Sequence, residues 1–214
     1  MITKPHKFFE LIMENDLQEL SRFLLEKQED ILKGLIPTIP SEKLNGYTKE
    51  NGVTTQLGDY YNIFDKEYFG HDCLRDLHRE LRNTMKSAAD YYEIDYDAED
   101  YMIHGWYNVD FKSGNDKGVS PIKNPENFHD HMGGQGIPVF HGYYCVNAEP
   151  SSTFYKINGE TPFENINKNN RAIVSETGHP HGRDDWYENN PRITIAYDIA
   201  PASHGADTRT WIKL

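Results

Sequence analysis

At Tyr101 the hydrophobic period of the chain changes from helical to alternating, so the two parts cannot share one class of secondary structure. Upstream, Leu74, Leu77, Leu81, Met85, Ala88 and Ala89 fall on one stripe and predict a helix over about 66–92. Leu17, Leu20, Phe23, Leu24, Ile31 and Leu35 predict another from about 16 to 34. It opens on Asp16 with Glu19 three residues later, an acidic variant of the capping box, and closes at Gly34 and Pro37. Residues 37–65 show no sustained period and read as mainly loop, with room for a short strand. Downstream, Tyr101, Ile103, Tyr107, Val109 and Phe111 form one face, and Met102, His104, Trp106, Asn108 and Asp110 the other. Such a strand suits a sheet that packs on helices with one side and lines a wet cavity with the other.

Further strand-like runs follow at Ile137–Val146, Thr153–Ile157, Ala172–Val174 and from Arg192 onward, with a turn at Asn167–Asn170. Short strands separated by Gly, Pro and Asn predict a barrel or jelly roll, and with the upstream helices an α+β fold. The expected organisation is a single domain over 1–214, with 1–100 mainly helical support and 101–214 the jelly-roll core. Residues 112–127 read as a long loop, a candidate substrate-binding lip or lid.

The composition narrows the functional classes. Residues 1–100 carry 12 Lys+Arg against 21 Asp+Glu and residues 101–214 carry 10 against 13, within a net charge of −12. That acidity argues against general nucleic-acid binding and against anionic membranes as partners. No apolar run approaches the ~20 residues a membrane span needs, no signal peptide is evident, and neither Cys73 nor Cys145 forms a Cys-x-x-Cys pair. The expectation is a cytoplasmic protein with free thiols.

The chemistry concentrates in three short segments. In an extended strand, His129 and His131 share a face while Asp130 turns away, so the pair can hold one ion. His181 lies 50 residues on and is a third candidate ligand; three protein ligands leave positions open, as a catalytic site requires. Imidazole suits iron, zinc, copper and nickel alike. His179 is the rival to His181, with Pro180 between them. His141 suits a supporting or core role, and His71 and His78 read as partly exposed helix residues. On the last strand Arg192, Thr194, Ala196 and Asp198 share a face, and a guanidinium with a hydroxyl two residues on suits a carboxylate.

His-x-His, the Gly142-Tyr143-Tyr144 strand, a later His and Arg-x-Thr together resemble the Fe(II)- and 2-oxoglutarate-dependent oxygenases. Within these the chain is similar to the prolyl-hydroxylase-like oxygenases of marine bacteria and their phages; Trp106-Tyr107-Asn108 is similar to a Trp-x-Asn strand of that group. The resemblance covers roughly residues 101–200. It implies a double-stranded β-helix with N-terminal supporting helices, and Fe(II) on His129, His131 and His181. It also implies 2-oxoglutarate held by Arg192, Thr194 and a tyrosine (Tyr144 first, Tyr143 close behind), with molecular oxygen as co-reactant and Trp106 and Asn108 toward the substrate. The implied activity is a hydroxylase acting on a peptide, amino acid or small molecule, in the host cytoplasm if phage-encoded. The oligomeric state is not legible.

Two departures stand against that pattern. His131 occupies the place of the usual carboxylate, leaving the site one negative charge poorer, and Met132-Gly133-Gly134-Gln135-Gly136 is longer than the pattern expects and is a candidate flap. Two alternatives keep the same fold: a cupin-type metalloenzyme (an isomerase or a cosubstrate-free dioxygenase), with Gln135 where a cupin glutamate would stand, and a non-enzymatic jelly-roll binding or virion protein.

Overall fold

Asp16 accepts hydrogen bonds from the Gln18 and Glu19 amides, both at 3.0 Å, and so caps α1 (Leu17–Leu32). Such a cap contributes about 1 kcal/mol. The helix buries Leu20, Leu24, Gln28 and Ile31, one stripe of its surface. In the computed structural model, residues 4–45, 47, 55–111, 128–131, 139–157, 161–204 and 210–214 are described. Ahead of α1 lies β1 (Phe9–Ile12); after it come a 3-10 turn at Ser41–Leu44 and the single-turn α2 (Thr55–Gly58). Among the described residues of 37–65 there is no strand. The helix expected over 66–92 starts later, as α3 (Asp72–Tyr92), because the His71 imidazole accepts from the Cys73 amide at 3.2 Å and caps it there. All six residues of the expected stripe are buried.

The strands follow as β2 (Tyr101–Asp110), β3 (Phe140–Asn147), β4 (Ser152–Tyr155), β5 (Phe163–Ile166), β6 (Arg171–Glu176), β7 (His181–Arg183), β8 (Arg192–Pro201) and β9 (Ile212–Lys213). They form two antiparallel sheets, one of six strands in the order β1-β6-β3-β8-β2-β9 and one of three in the order β5-β4-β7. The backbone of His129 exchanges hydrogen bonds with that of His181, which adds the 128–131 segment to the free side of β7. β1, β5, β7 and β9 are additions to the elements expected from sequence. The proposed loop 112–127 and flap 132–136, and the first residues of the run Ile137–Val146, lie outside the described residues.

The two faces of the large sheet have different company. Tyr107, Tyr144, Ile195, Tyr197 and Ile199 pack with Leu20, Leu24 and Ile31 of α1 and Leu77, Leu81 and Met85 of α3, so the helices cover the outer face. Each such fully buried side chain is worth about 1.5–3 kcal/mol. On the inner face Tyr143, Cys145 and Ile173 meet Tyr155 of the small sheet, which gives the arrangement of a jelly-roll-like sandwich. At Gly142 there is no room for a side chain between β3 and β6: a Cβ there would collide with the Ile173 carbonyl and the Tyr197 ring. Cys73 and Cys145 are free and buried. No helix among the described residues is long and apolar enough to cross a membrane.

Candidate metal centre

Cross-strand register lines up one inner row of side chains. His104, Trp106, Asn108 and Asp110 of β2 stand opposite Asp198, Ala196, Thr194 and Arg192 of β8, and His141, Tyr143 and Cys145 of β3 flank that row. Across the gap, β7 presents His181, with His129 and His131 beside it. The ligand atoms of these three histidines all lie within 4.8 Å of one another. Their ring centroids are 4.5 Å apart for His129 and His181, 5.0 Å for His131 and His181, and 5.3 Å for His129 and His131.

The electrostatics favour neutral, ligating imidazoles at the buried end. Burial, with His131 and His129 nearby, holds His181 well below the usual histidine range, and its Nδ1 is buried with no hydrogen-bond partner among the described residues. Burial also lowers His131, but the Asp198 carboxylate, 3.0 Å from its Nδ1, outweighs that and raises it overall. A carboxylate on Nδ1 fixes the ring so that Nε2 points toward an ion, the arrangement that orients many metal-binding histidines. Asp198 therefore supplies next to the cluster the negative charge that His131 does not. Asp130 does turn away: its carboxylate accepts from the Gly178 amide at 3.0 Å and from the His131 amide at 2.7 Å.

Two further rings wall the cluster. Trp106 stacks on His131 with centroids 5.7 Å apart and planes 11° from parallel, and His141 lies 5.2 Å from His131 and 4.7 Å from His181. His141 is buried, its Nε2 lies 3.2 Å from Ser175 Oγ, and burial pushes it well below the usual range. Asn108 sits on the same β2 face, opposite Thr194.

Arg192 is only 4% exposed, and burial lowers its pKa while Asp110 works in the other direction. Its Nη1 donates to Asp110 Oδ2 at 3.3 Å and to Thr194 Oγ1 at 3.4 Å, and its Nε to Ser151 Oγ at 3.2 Å. Asp110 also accepts from Arg183 at 2.7 Å. The two tyrosines part company here. Tyr143 faces the Arg192 side, paired with Ala196, and its buried hydroxyl, with Thr153 nearby, meets no hydrogen-bond geometry among the described residues. Tyr144 faces the helices, where its hydroxyl donates to Asn170 at 2.5 Å and accepts from Asn15 at 3.1 Å. Strand parity explains this: neighbouring residues point to opposite faces, and the Gly-rich stretch ahead of β3 hides that parity from the sequence.

The structure separates His179 from His181 as well. His179 joins Glu176 and His6 in a different group. Three residues around the centre carry no sequence motif of their own. They are Asp198, Tyr155, whose buried hydroxyl has no hydrogen-bond partner among the described residues and whose ring lies 5.3 Å from His181, and, farther along the inner face, Arg171, which points inward from β6 and donates to Asn165 at 2.7 Å. Only the alternation along β6 and β8 marked Arg171 and Asp198 as inward.

No protein-family model matches the chain, and no curated protein matches it either. Among solved structures it is similar to an oxidoreductase of the 2OG-Fe(II) oxygenase family from Burkholderia pseudomallei, at 15% identity and a TM-score of 0.37, over 57% of this chain and 53% of that one. The chain thus spans about half the length of that protein. It is also similar to a Pseudomonas putida prolyl-4-hydroxylase, at 7% identity and a TM-score of 0.48, over 91% of this chain and 93% of that one. A third likeness is to the non-heme alpha ketoglutarate dependent epimerase SnoN from nogalamycin biosynthesis, at 10% identity and a TM-score of 0.48, over 92% and 78%. The functional reading rests on this chain's own geometry.

Proposed function

We propose that this chain is a non-haem Fe(II)- and 2-oxoglutarate-dependent dioxygenase that hydroxylates a peptide, amino-acid or small-molecule substrate. The observation that carries the reading is the convergence of His129, His131 and His181 on one point, with Asp198 on the far nitrogen of His131. The buried, unpartnered Nδ1 of His181 fits an ion there. The strand orders support a double-stranded β-helix, with β2, β8, β3 and β6 as one wall and the His129–His131 segment, β7, β4 and β5 as the other.

His129, His131 and His181 would hold the iron, leaving positions open on it. Arg192, Thr194 and Tyr143 would take the distal carboxylate of 2-oxoglutarate by charge-assisted bonds; Tyr144 is turned away from that side. Bound iron and 2-oxoglutarate would supply the oxidising power: one atom of O₂ enters the substrate and the other enters succinate, with release of carbon dioxide. Trp106, against His131, excludes water from that side of the centre, and Asn108 offers a polar group toward the substrate.

The pairing of Arg192 with Asp110 favours a second reading, a cosubstrate-free metalloenzyme of cupin type, because the guanidinium already has a carboxylate partner. An anaerobic titration of Fe(II)-loaded protein with 2-oxoglutarate decides between them. A visible charge-transfer band that is lost in His181→Ala and needs at least ten-fold more cosubstrate in Arg192→Ala supports the oxygenase. Iron bound with no band at any 2-oxoglutarate concentration sinks it.

A further inference from the structure

The turn between β6 and β7 builds a second group of ligating side chains that shares no residue with the first. Glu176 ends β6, His179 follows three residues later, and Gly178 between them has φ +95°, a backbone angle that suits glycine. His6, from the segment ahead of β1, reaches the same place. Glu176 Oε1 lies 3.3 Å from His179 Nε2 and 3.5 Å from His6 Nδ1, and the three ligand atoms are all within 4.8 Å of one another. In a tetrahedral zinc site with bonds of about 2.1 Å, neighbouring ligand atoms stand about 3.4 Å apart. These two spacings match that edge, and the shorter one is at hydrogen-bond distance.

His6 gives an independent indication. Its side chain is only 3% exposed, yet neither ring nitrogen has a hydrogen-bond partner among the described residues, and the 3.5 Å approach to Glu176 misses hydrogen-bond geometry. Its ring stands edge-on to His179 at 4.3 Å and to Phe8 at 4.8 Å, so it is held in place. A buried imidazole whose Nε2 has no partner among the described residues and whose Nδ1 has only a long approach to a carboxylate is costly, and a metal ion is one partner that resolves it.

We infer that His6, Glu176 and His179 form a second site for a divalent first-row transition metal ion of zinc type, which pins the N-terminal segment to the β6–β7 turn. Two imidazoles and one carboxylate, with a water completing four-coordination, suit Zn(II), and Co(II) reports the same geometry. The site adjoins the first one through Asp130, whose carboxylate holds the Gly178 amide of this turn and the amide of His131. Metal here therefore steadies the backbone that carries two of the first group's histidines.

The test is metal stoichiometry with Zn(II), read by elemental analysis after desalting, together with the visible spectrum of the Co(II) form. Wild type is expected to hold two ions per chain. His6→Ala and Glu176→Gln should each hold one, His181→Ala one, and the His6→Ala/His181→Ala double variant none. In His181→Ala, Co(II) should give the intense visible bands of a four-coordinate ion, and these should vanish on adding Glu176→Gln. Glu176→Gln is nearly isosteric and decides the matter if His6→Ala fails to fold. One ion in the wild type that survives in Glu176→Gln, or two ions that survive in both variants, overturns the site and leaves a carboxylate shared by two imidazoles. Neither result bears on 2-oxoglutarate binding at the first centre.

Discussion

Asp198 shows what a single side chain does here. Its carboxylate sits 3.0 Å from His131 Nδ1, and its only mark in the sequence is the alternation along β8. Replacing it by Asn keeps the size and removes the charge, so Asp198→Asn should weaken Fe(II) or Co(II) binding at the first centre about 10–100-fold, read by competition with a chelator. The tyrosines make a paired test. Tyr143→Phe removes a hydroxyl that meets no hydrogen-bond geometry among the described residues, so it should change Tm little while raising the 2-oxoglutarate concentration needed for half-saturation several-fold. Tyr144→Phe breaks bonds to Asn170 and Asn15, so it should cost about 1 kcal/mol in denaturant unfolding and leave cosubstrate binding unchanged. At this scale the His129–His131 pair and Arg192 were legible because spacing and strand parity carry them, and the choice of His181 over His179 came from the resemblance. Asp198, Tyr155 and Arg171 were not, because their neighbours depend on which strands come together.

The long elements were legible, and of the short ones only β4 was. α1 and α3 are 16 and 21 residues long, enough turns for a stripe to stand out, and β2 has 10 residues of alternation. β1, β5 and β7 have only three or four residues each, too few to show a period; β5 leaves Phe163 and Ile166 exposed, and β7 contributes the sequence His-Gly-Arg. Pairing rather than propensity makes them strands. Where β3 meets β6, one residue decides the spacing. Gly142→Ala would force β3 away from the Ile173 carbonyl and the Tyr197 ring. A loss of about 1–3 kcal/mol is expected, the usual cost of overpacking, and it should appear as a lower midpoint in urea. An unchanged midpoint would mean that β3 and β6 are not held as closely as this register requires.

Across the whole molecule, the helices close the outer face of the large sheet and leave the inner face and the small sheet to enclose polar groups. Asp110 on β2 links these parts, because it takes Arg192 from β8 and Arg183 from β7, one strand in each sheet. Removing its charge leaves Arg192, which is 4% exposed, with only hydroxyl partners among the described residues. Breaking a buried pair costs about 3–5 kcal/mol, and the partial exposure of Asp110 places this one toward the lower end. Asp110→Asn is therefore expected to lower Tm. If Arg192 receives a carboxylate from 2-oxoglutarate, the ligand supplies the missing charge, and at about 100 times its Kd it contributes about 2.7 kcal/mol to the folded state. The rise in Tm on adding 2-oxoglutarate, with the metal present, should then be larger in Asp110→Asn than in the wild type, while 2-oxoglutaramate, in which an amide replaces the distal carboxylate, should restore less. An equal rise in both proteins, or none, would mean that 2-oxoglutarate does not pair with Arg192, the behaviour expected of a metalloenzyme that works without the cosubstrate.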